Sequence, residues 1–76
     1  MAAIDEEVTK LQTEVARRAA EHRAACERTA QTRPGTHEYV HAYRWQLACA
    51  ALEAEARRRL RRHLTAAAER RADSAT

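Results

Sequence analysis

The chain has few of the residues that end helices and few of the residues that fill large cores. Its 76 residues include one proline and one glycine, which are adjacent at Pro34 and Gly35. Phenylalanine is absent, and leucine, isoleucine and valine together number nine. A chain of this length forms one domain at most, and so few large apolar residues give it a small core.

Other absences argue against membrane insertion and catalysis. No apolar run approaches the roughly 20 residues of a membrane span, and the first residues lack the basic and apolar regions of a signal peptide. The only serine, Ser74, lies near the end of the chain, and there is no glycine-rich phosphate-binding loop. We expect a cytoplasmic protein with no catalytic residues and no cofactor, in which Cys26 and Cys49 are free thiols.

What is present is typical of long helices. Ala, Glu, Lys, Leu and Arg account for 47 of the 76 residues, and the apolar residues recur at helical spacing. The pattern predicts a first helix over about residues 4–31, a turn over 32–36, a second helix over about 36–72 and a frayed tail over 73–76. Thr36 is a suitable N-cap for the second helix. Because the turn is short, the helices should fold back antiparallel into an all-α two-helix hairpin.

The first helix has one apolar stripe, whose steps repeat after eleven residues and predict nearly straight helix packing. On the second helix, one apolar face matches this stripe when His22 is placed opposite Trp45 and Ile4 opposite Leu64. The stripe comprises Ile4, Val8, Leu11, Val15, Ala19, His22, Cys26 and Ala30, and the matching face comprises Ala42, Trp45, Cys49, Leu52, Ala56, Leu60, Leu64 and Ala67.

The second helix has another apolar face, which no other segment of the chain can cover. It holds Val40, Tyr43, Leu47, Ala50 and Ala54. Monomeric proteins usually avoid a continuous apolar strip of this kind. We therefore predict a homodimer that forms a four-helix bundle, and a function as a protein–protein interaction or assembly module.

A run of arginines suggests an alternative function. Arg57, Arg58, Arg59, Arg61 and Arg62 lie within six residues of the second helix. Clustered arginines are typical of nucleic-acid-binding proteins, so a small basic regulator that binds DNA or RNA without sequence preference is one alternative. The same residues also fit a solvated face, since they spread around the helix and no aromatic residue lies among them for base stacking.

Histidine and cysteine near the turn suggest a further alternative. His22 with Cys26, and His37 with His41, are each spaced four residues apart, which places each pair on one helix face. Imidazole and thiolate are zinc ligands, and Glu38 with His41 shares the Glu-x-x-His pattern of di-iron bundles. A zinc- or iron-binding bundle therefore stands beside a purely structural interpretation, in which His22 packs against Trp45 and His37 and His41 are surface residues.

Overall fold

The computed structural model describes residues 2–75, with side chains from Glu6 to Ala75, and it confirms an all-α hairpin. Helix α1 runs over Ala2–Gln31 and helix α2 over His37–Ala75. The helices lie against each other in a particle of 60 × 19 × 12 Å. The long dimension is that of α2 alone, since its 39 residues span roughly 58 Å at 1.5 Å per residue.

The turn occupies residues 32–36, and its geometry follows from three consecutive residues. Pro34 interrupts the helix, and Gly35 has a φ of 83°, in the left-handed region that glycine adopts most easily. The Thr36 Oγ1 accepts a hydrogen bond from the Tyr39 N–H at 3.1 Å and donates one to the Arg33 carbonyl at 2.7 Å. Thr36 is therefore the predicted N-cap, and α2 begins at the next residue.

Both helices extend further than predicted. Helix α1 begins at Ala2 rather than near Ile4, and α2 continues to Ala75 rather than ending near residue 72. Residues 73–75, for which a frayed tail was predicted, have helical geometry in the structure, while residue 76 lies outside the described part of the chain. No glycine or proline follows Gly35, and alanine and arginine, which favour helix, dominate the last turns.

The seam, where α1 and α2 face each other, is built from small side chains. Thr29 can be buried there because its Oγ1 donates a hydrogen bond to the Ala25 carbonyl at 3.0 Å. Cys49 is the largest side chain that is fully buried. The buried residues are Ala25, Thr29, Ala42, Cys49, Ala56 and Ala67, so the seam includes several of the α2 residues that were predicted to face α1.

Successive seam residues on each helix are alternately three and four positions apart in the sequence, which gives the seven-residue repeat of coiled coils. The predicted eleven-residue repeat does not hold near the turn, where Ala25 and Thr29 are buried and Ala30 is exposed. That prediction considered apolar side chains only, whereas the observed repeat includes polar ones. The repeat comprises Val8, Leu11, Val15, Arg18, His22, Ala25, Thr29 and Thr32 on α1, and Ala42, Gln46, Cys49, Glu53, Ala56, Leu60, His63 and Ala67 on α2, all of them buried or half-buried.

The largest residues predicted for the seam lie at its edges instead. Trp45, Leu52 and Leu64 are 52%, 38% and 45% exposed. Each of the three is next in sequence to a seam residue but lies further around the helix, toward the solvent. Gln46, Glu53 and other polar residues occupy seam positions between the buried ones. These three residues, which were predicted to face α1, therefore flank the seam and do not occupy its centre.

The pairing of the two helices also differs from the prediction. The His22 Nδ1 lies 2.8 Å from the Glu53 Oε1, so His22 reaches a residue well beyond Trp45 along α2. Side chains lean toward the N-terminus of their own helix. In an antiparallel pair, His22 therefore leans away from the turn and Glu53 leans toward it. The prediction compared only positions along the helix axes and did not include this lean. The predicted pairing of Ile4 with Leu64 lies outside the described side chains.

Candidate interaction surfaces

The outer face, composed of Val40, Tyr43, Leu47, Ala50 and Ala54, lies on the side of α2 away from α1. At about 100° per residue these positions fall roughly 100–180° around the helix from Cys49. Val40 is 44% exposed, Tyr43 45% and Leu47 52%. Ala54 is exposed and Ala50 half-buried. The hairpin therefore leaves uncovered the face that was predicted to have no partner within the chain.

A pair of tyrosines extends the outer face toward the turn. Tyr39 and Tyr43 are one helical turn apart, with ring centroids separated by 6.3 Å and ring planes inclined by 8°. This distance lies within the range of favourable aromatic pairs. The stacked rings present a broad aromatic surface beside the outer face.

A depression of about 430 Å³ lies between these tyrosines and the turn. It is open to solvent, unlike the concave sites that enclose small ligands and cofactors. The half-buried Cys26 lies in its lining, so this thiol is accessible from the surface. Its lining includes Cys26, Thr29, Pro34, Tyr39, Tyr43 and Gln46.

The arginine run divides into two groups that differ in their ion pairs. Arg57 lies 2.6 Å from a Glu53 oxygen, and Arg58 lies 2.8 Å from a Glu55 oxygen. Arg62 is more distant, at 3.7 Å from Glu55. In contrast, the run's two other arginines, at positions 59 and 61, form no ion pair with any side chain between residues 6 and 75. The hairpin pairing also predicts that Asp5, Glu6 and Glu7 lie beside Arg61 and Arg62. The Asp5 side chain lies outside the described residues, and Glu6 and Glu7 form no ion pair with the run.

Glu53 connects the arginine run to the seam. Its Oε2 accepts hydrogen bonds from the Arg57 Nε and Nη2 at 2.9 and 2.6 Å. Its Oε1 lies within hydrogen-bond distance of the His22 Nδ1. The hydrogen bonds from Arg57, and then that from His22, hold the pKa of Glu53 below its ordinary value. Sequence analysis missed this contact between the helices. The four-residue spacing of Glu53 and Arg57 is a signal for the ion pair within α2, but it gives no indication of the contact with His22.

A second polar cluster lies on α1, across the seam from Cys49. Arg18 contacts Glu14 at 2.9 Å and Glu21 at 3.5 Å. Burial raises the pKa of the Cys49 thiol, and the nearby Glu21 carboxylate raises it further, whereas Arg18 opposes this shift. Cys49 therefore remains a protonated, poorly reactive thiol at neutral pH.

The residues predicted to bind a metal are not brought together. His22 is engaged by Glu53 on the other helix, and Cys26 lies in the open depression. His37 and His41 are both exposed at the start of α2. Among the side chains of residues 6–75, no group of three or more His, Cys, Asp or Glu residues converges in a way that could hold a metal ion.

Two further observations bear on function. Within residues 2–75, no helix combines the length and the apolar character needed to cross a membrane. Comparisons of the chain with family models, curated proteins and solved structures find no match. We therefore infer function from the surfaces of the chain alone.

Proposed function

We propose that this chain is a non-enzymatic helical hairpin that self-associates through its outer face and acts as an interaction or assembly module. One observation carries the proposal. The seam contains alanine, threonine and cysteine as its buried residues, whereas Val40, Tyr43 and Leu47 point into solvent from the opposite side of α2. The two free thiols are compatible with a reducing compartment, and we propose the cytoplasm as its location.

The energetics favour a partner on the outer face. Burying a leucine side chain contributes roughly 1.5–3 kcal/mol, and burying an alanine contributes much less. Small domains are marginal and often need oligomerisation to remain folded. A hairpin whose fully buried residues are small therefore gains substantially from covering Leu47 and its neighbours.

A second copy of the chain suits this surface. Ala50 and Ala54 allow the backbones of two α2 helices to approach closely, while Leu47 and Tyr43 fill the space alongside. The resulting homodimer is a four-helix bundle with both α2 helices at its centre and both α1 helices outside.

Sedimentation velocity of the unaltered chain at micromolar concentration tests the proposal. We expect a species of twice the 8.6 kDa chain mass, with helicity that falls on dilution as the dimer dissociates. A mass of one chain, with helicity unchanged across the same concentrations, overturns the proposal.

A second candidate function is binding to nucleic acid, which two arginines of the run support. Arg59 and Arg61 form no ion pair with a side chain of residues 6–75, whereas Arg57 and Arg58 are engaged by carboxylates. For duplex DNA of random sequence, the double substitution Arg59→Gln/Arg61→Gln should weaken binding more than Arg57→Gln/Arg58→Gln, although both remove the same charge. No binding at low salt rules out this candidate, and equal affinities for the two variants mean that Arg59 and Arg61 contribute no more than the paired arginines. We do not propose a metal-binding bundle, because nothing in the observed arrangement supports it.

A further inference from the structure

Side-chain size changes from one end of the outer face to the other, and this change points to how two copies meet. Its large side chains, Val40 and Tyr43, precede Leu47, and its small ones, Ala50 and Ala54, follow it. Val40 and Ala54 are each seven residues from Leu47, and Tyr43 and Ala50 are four and three residues away on either side. Leu47 is thus the centre of a face that is large at one end and small at the other.

We propose that a second copy packs antiparallel on this face, with the two-fold axis passing beside Leu47. This inference rests on the proposed self-association and adds its orientation. In the antiparallel arrangement Val40 lies opposite Ala54 of the second copy, Tyr43 opposite Ala50, and Leu47 beside its own counterpart. The large side chains at one end of the face, Val40 and Tyr43, then each meet a small one, and only Leu47 at the centre meets a side chain of its own size, which limits voids and overpacking.

A parallel arrangement pairs the same residues poorly. Tyr43 would meet Tyr43 and Val40 would meet Val40, which holds the backbones apart at one end of the face. At the other end Ala54 would meet Ala54, so a gap would remain that neither copy can fill. Cavities and overpacking each destabilise a packed interface, and a parallel pair would have both.

The distribution of charge gives a second and independent reason. Residues 57–76 contain seven arginines but only two acidic residues, Glu69 and Asp73, whereas residues 1–56 contain seven basic and nine acidic residues. A parallel pair would place two strongly basic segments side by side at the 8–10 Å separation of packed helices. An antiparallel pair centred on Leu47 separates their midpoints by roughly 55 Å. That distance far exceeds the ~8 Å over which charges interact at physiological salt.

The arrangement predicts an elongated particle with a basic segment at each end. Since α2 continues to Ala75, an antiparallel pair centred on Leu47 has a length of about 85 Å. A parallel pair keeps the 60 Å length of one hairpin. Small-angle scattering of the unaltered dimer distinguishes the two lengths, and a maximum dimension near 60 Å overturns the antiparallel arrangement.

A distance measurement gives a sharper test. Ala68 is exposed on the last third of α2, so Ala68→Cys provides a site for a spin label in a Cys26→Ala background, with the buried Cys49 left in place. An antiparallel pair centred on Leu47 separates the two labels by about 60 Å, whereas a parallel pair brings them to within about 30 Å. Double electron–electron resonance should show the longer distance, and any other dominant distance overturns the arrangement.

The two orientation tests and the sedimentation measurement address different claims, so their outcomes can be told apart. A two-chain mass with a short label distance rejects the orientation and leaves self-association standing. A one-chain mass rejects the proposed function itself. Circular dichroism of the labelled variant checks that it remains helical, and scattering of the unaltered chain decides the orientation if it does not.

Discussion

The seam and the outer face lie on opposite sides of α2 and are built from different residues. In the seam, Ala56 and Cys49 are each 1% exposed, and the half-buried positions between the alanines include Glu53 and Gln46. On the outer face, Leu47 is 52% exposed. The fully buried side chains of the hairpin are thus small, while several large ones are half-buried in the seam or exposed on the outer face. The difference indicates that the seam determines how the two helices align, while the outer face would add hydrophobic stabilisation in the proposed dimer.

The largest expected effect comes from placing a charge on the outer face. Leu47→Glu should abolish self-association, because two symmetry-related leucines contribute about 3 kcal/mol or more, and the variant would also bury two like charges. Helicity should fall with it, since the separated hairpin has only the seam. Sedimentation velocity and circular dichroism measure the two effects.

Ala20→Glu is the matched control for this charge. Ala20 is exposed on α1, on the side away from α2, so the substitution adds the same charge where no partner is expected. Its mass and helicity should equal those of the unaltered chain. If Leu47→Glu retains the two-chain mass, the outer face is not the surface of association.

The next largest effect concerns the close approach of the helices in the seam. Ala56→Leu should lower the free energy of unfolding by about 1–3 kcal/mol, because a seam lined by alanine has no room for extra methyl groups. Ala20→Leu introduces the same side chain at an exposed position and should change stability little. Urea unfolding at one fixed protein concentration compares them. A stabilised Ala56→Leu variant would mean that the seam is loosely packed.

The features of the hairpin that depend on local chemistry could be predicted from the sequence. The turn follows from Pro34 and Gly35, and the N-cap follows from Thr36, since each acts on its immediate neighbours. The exposure of Leu47 follows from helical periodicity, because a face opposite the first helix cannot be covered by it.

The detailed pairing of the seam could not be predicted in the same way. It depends on the direction in which side chains lean and on polar side chains that reach across the helices, as His22 reaches Glu53. The helical periodicity of the apolar residues placed Trp45 on the face toward α1, whereas the fully buried positions of the seam hold only small residues. The predicted arginine and metal sites likewise depend on which side chains of the two helices meet. Spacing along one helix does not determine these contacts.

A smaller effect should distinguish the two thiols. In the native protein Cys26 should react with iodoacetamide at least tenfold faster than Cys49, because Cys26 lies in the open depression and Cys49 is 1% exposed. Burial also raises the pKa of the Cys49 thiol, which lowers its fraction of reactive thiolate. Mass spectrometry of the two peptides follows both reactions. The rates should become similar in denaturant, and similar rates in the native protein would contradict burial of Cys49 in the seam.

The smallest expected effect is a dependence of stability on acid pH that originates at Glu53. Arg57 first and His22 second lower the pKa of this carboxyl from its ordinary value of 4.5 when the chain folds. A carboxylate of this kind stabilises the folded state at neutral pH and loses that contribution as the pH falls through its folded pKa. Because Glu53 connects Arg57 to His22 across the seam, protonation should loosen the contact between the helices without affecting the outer face. Glu53→Gln should therefore lower the melting temperature at pH 7 and reduce the further decrease between pH 7 and pH 3. Glu27→Gln, at an exposed position on α1, should preserve the decrease of the unaltered chain. If Glu53→Gln shows that same decrease, the acid sensitivity of the seam does not come from Glu53.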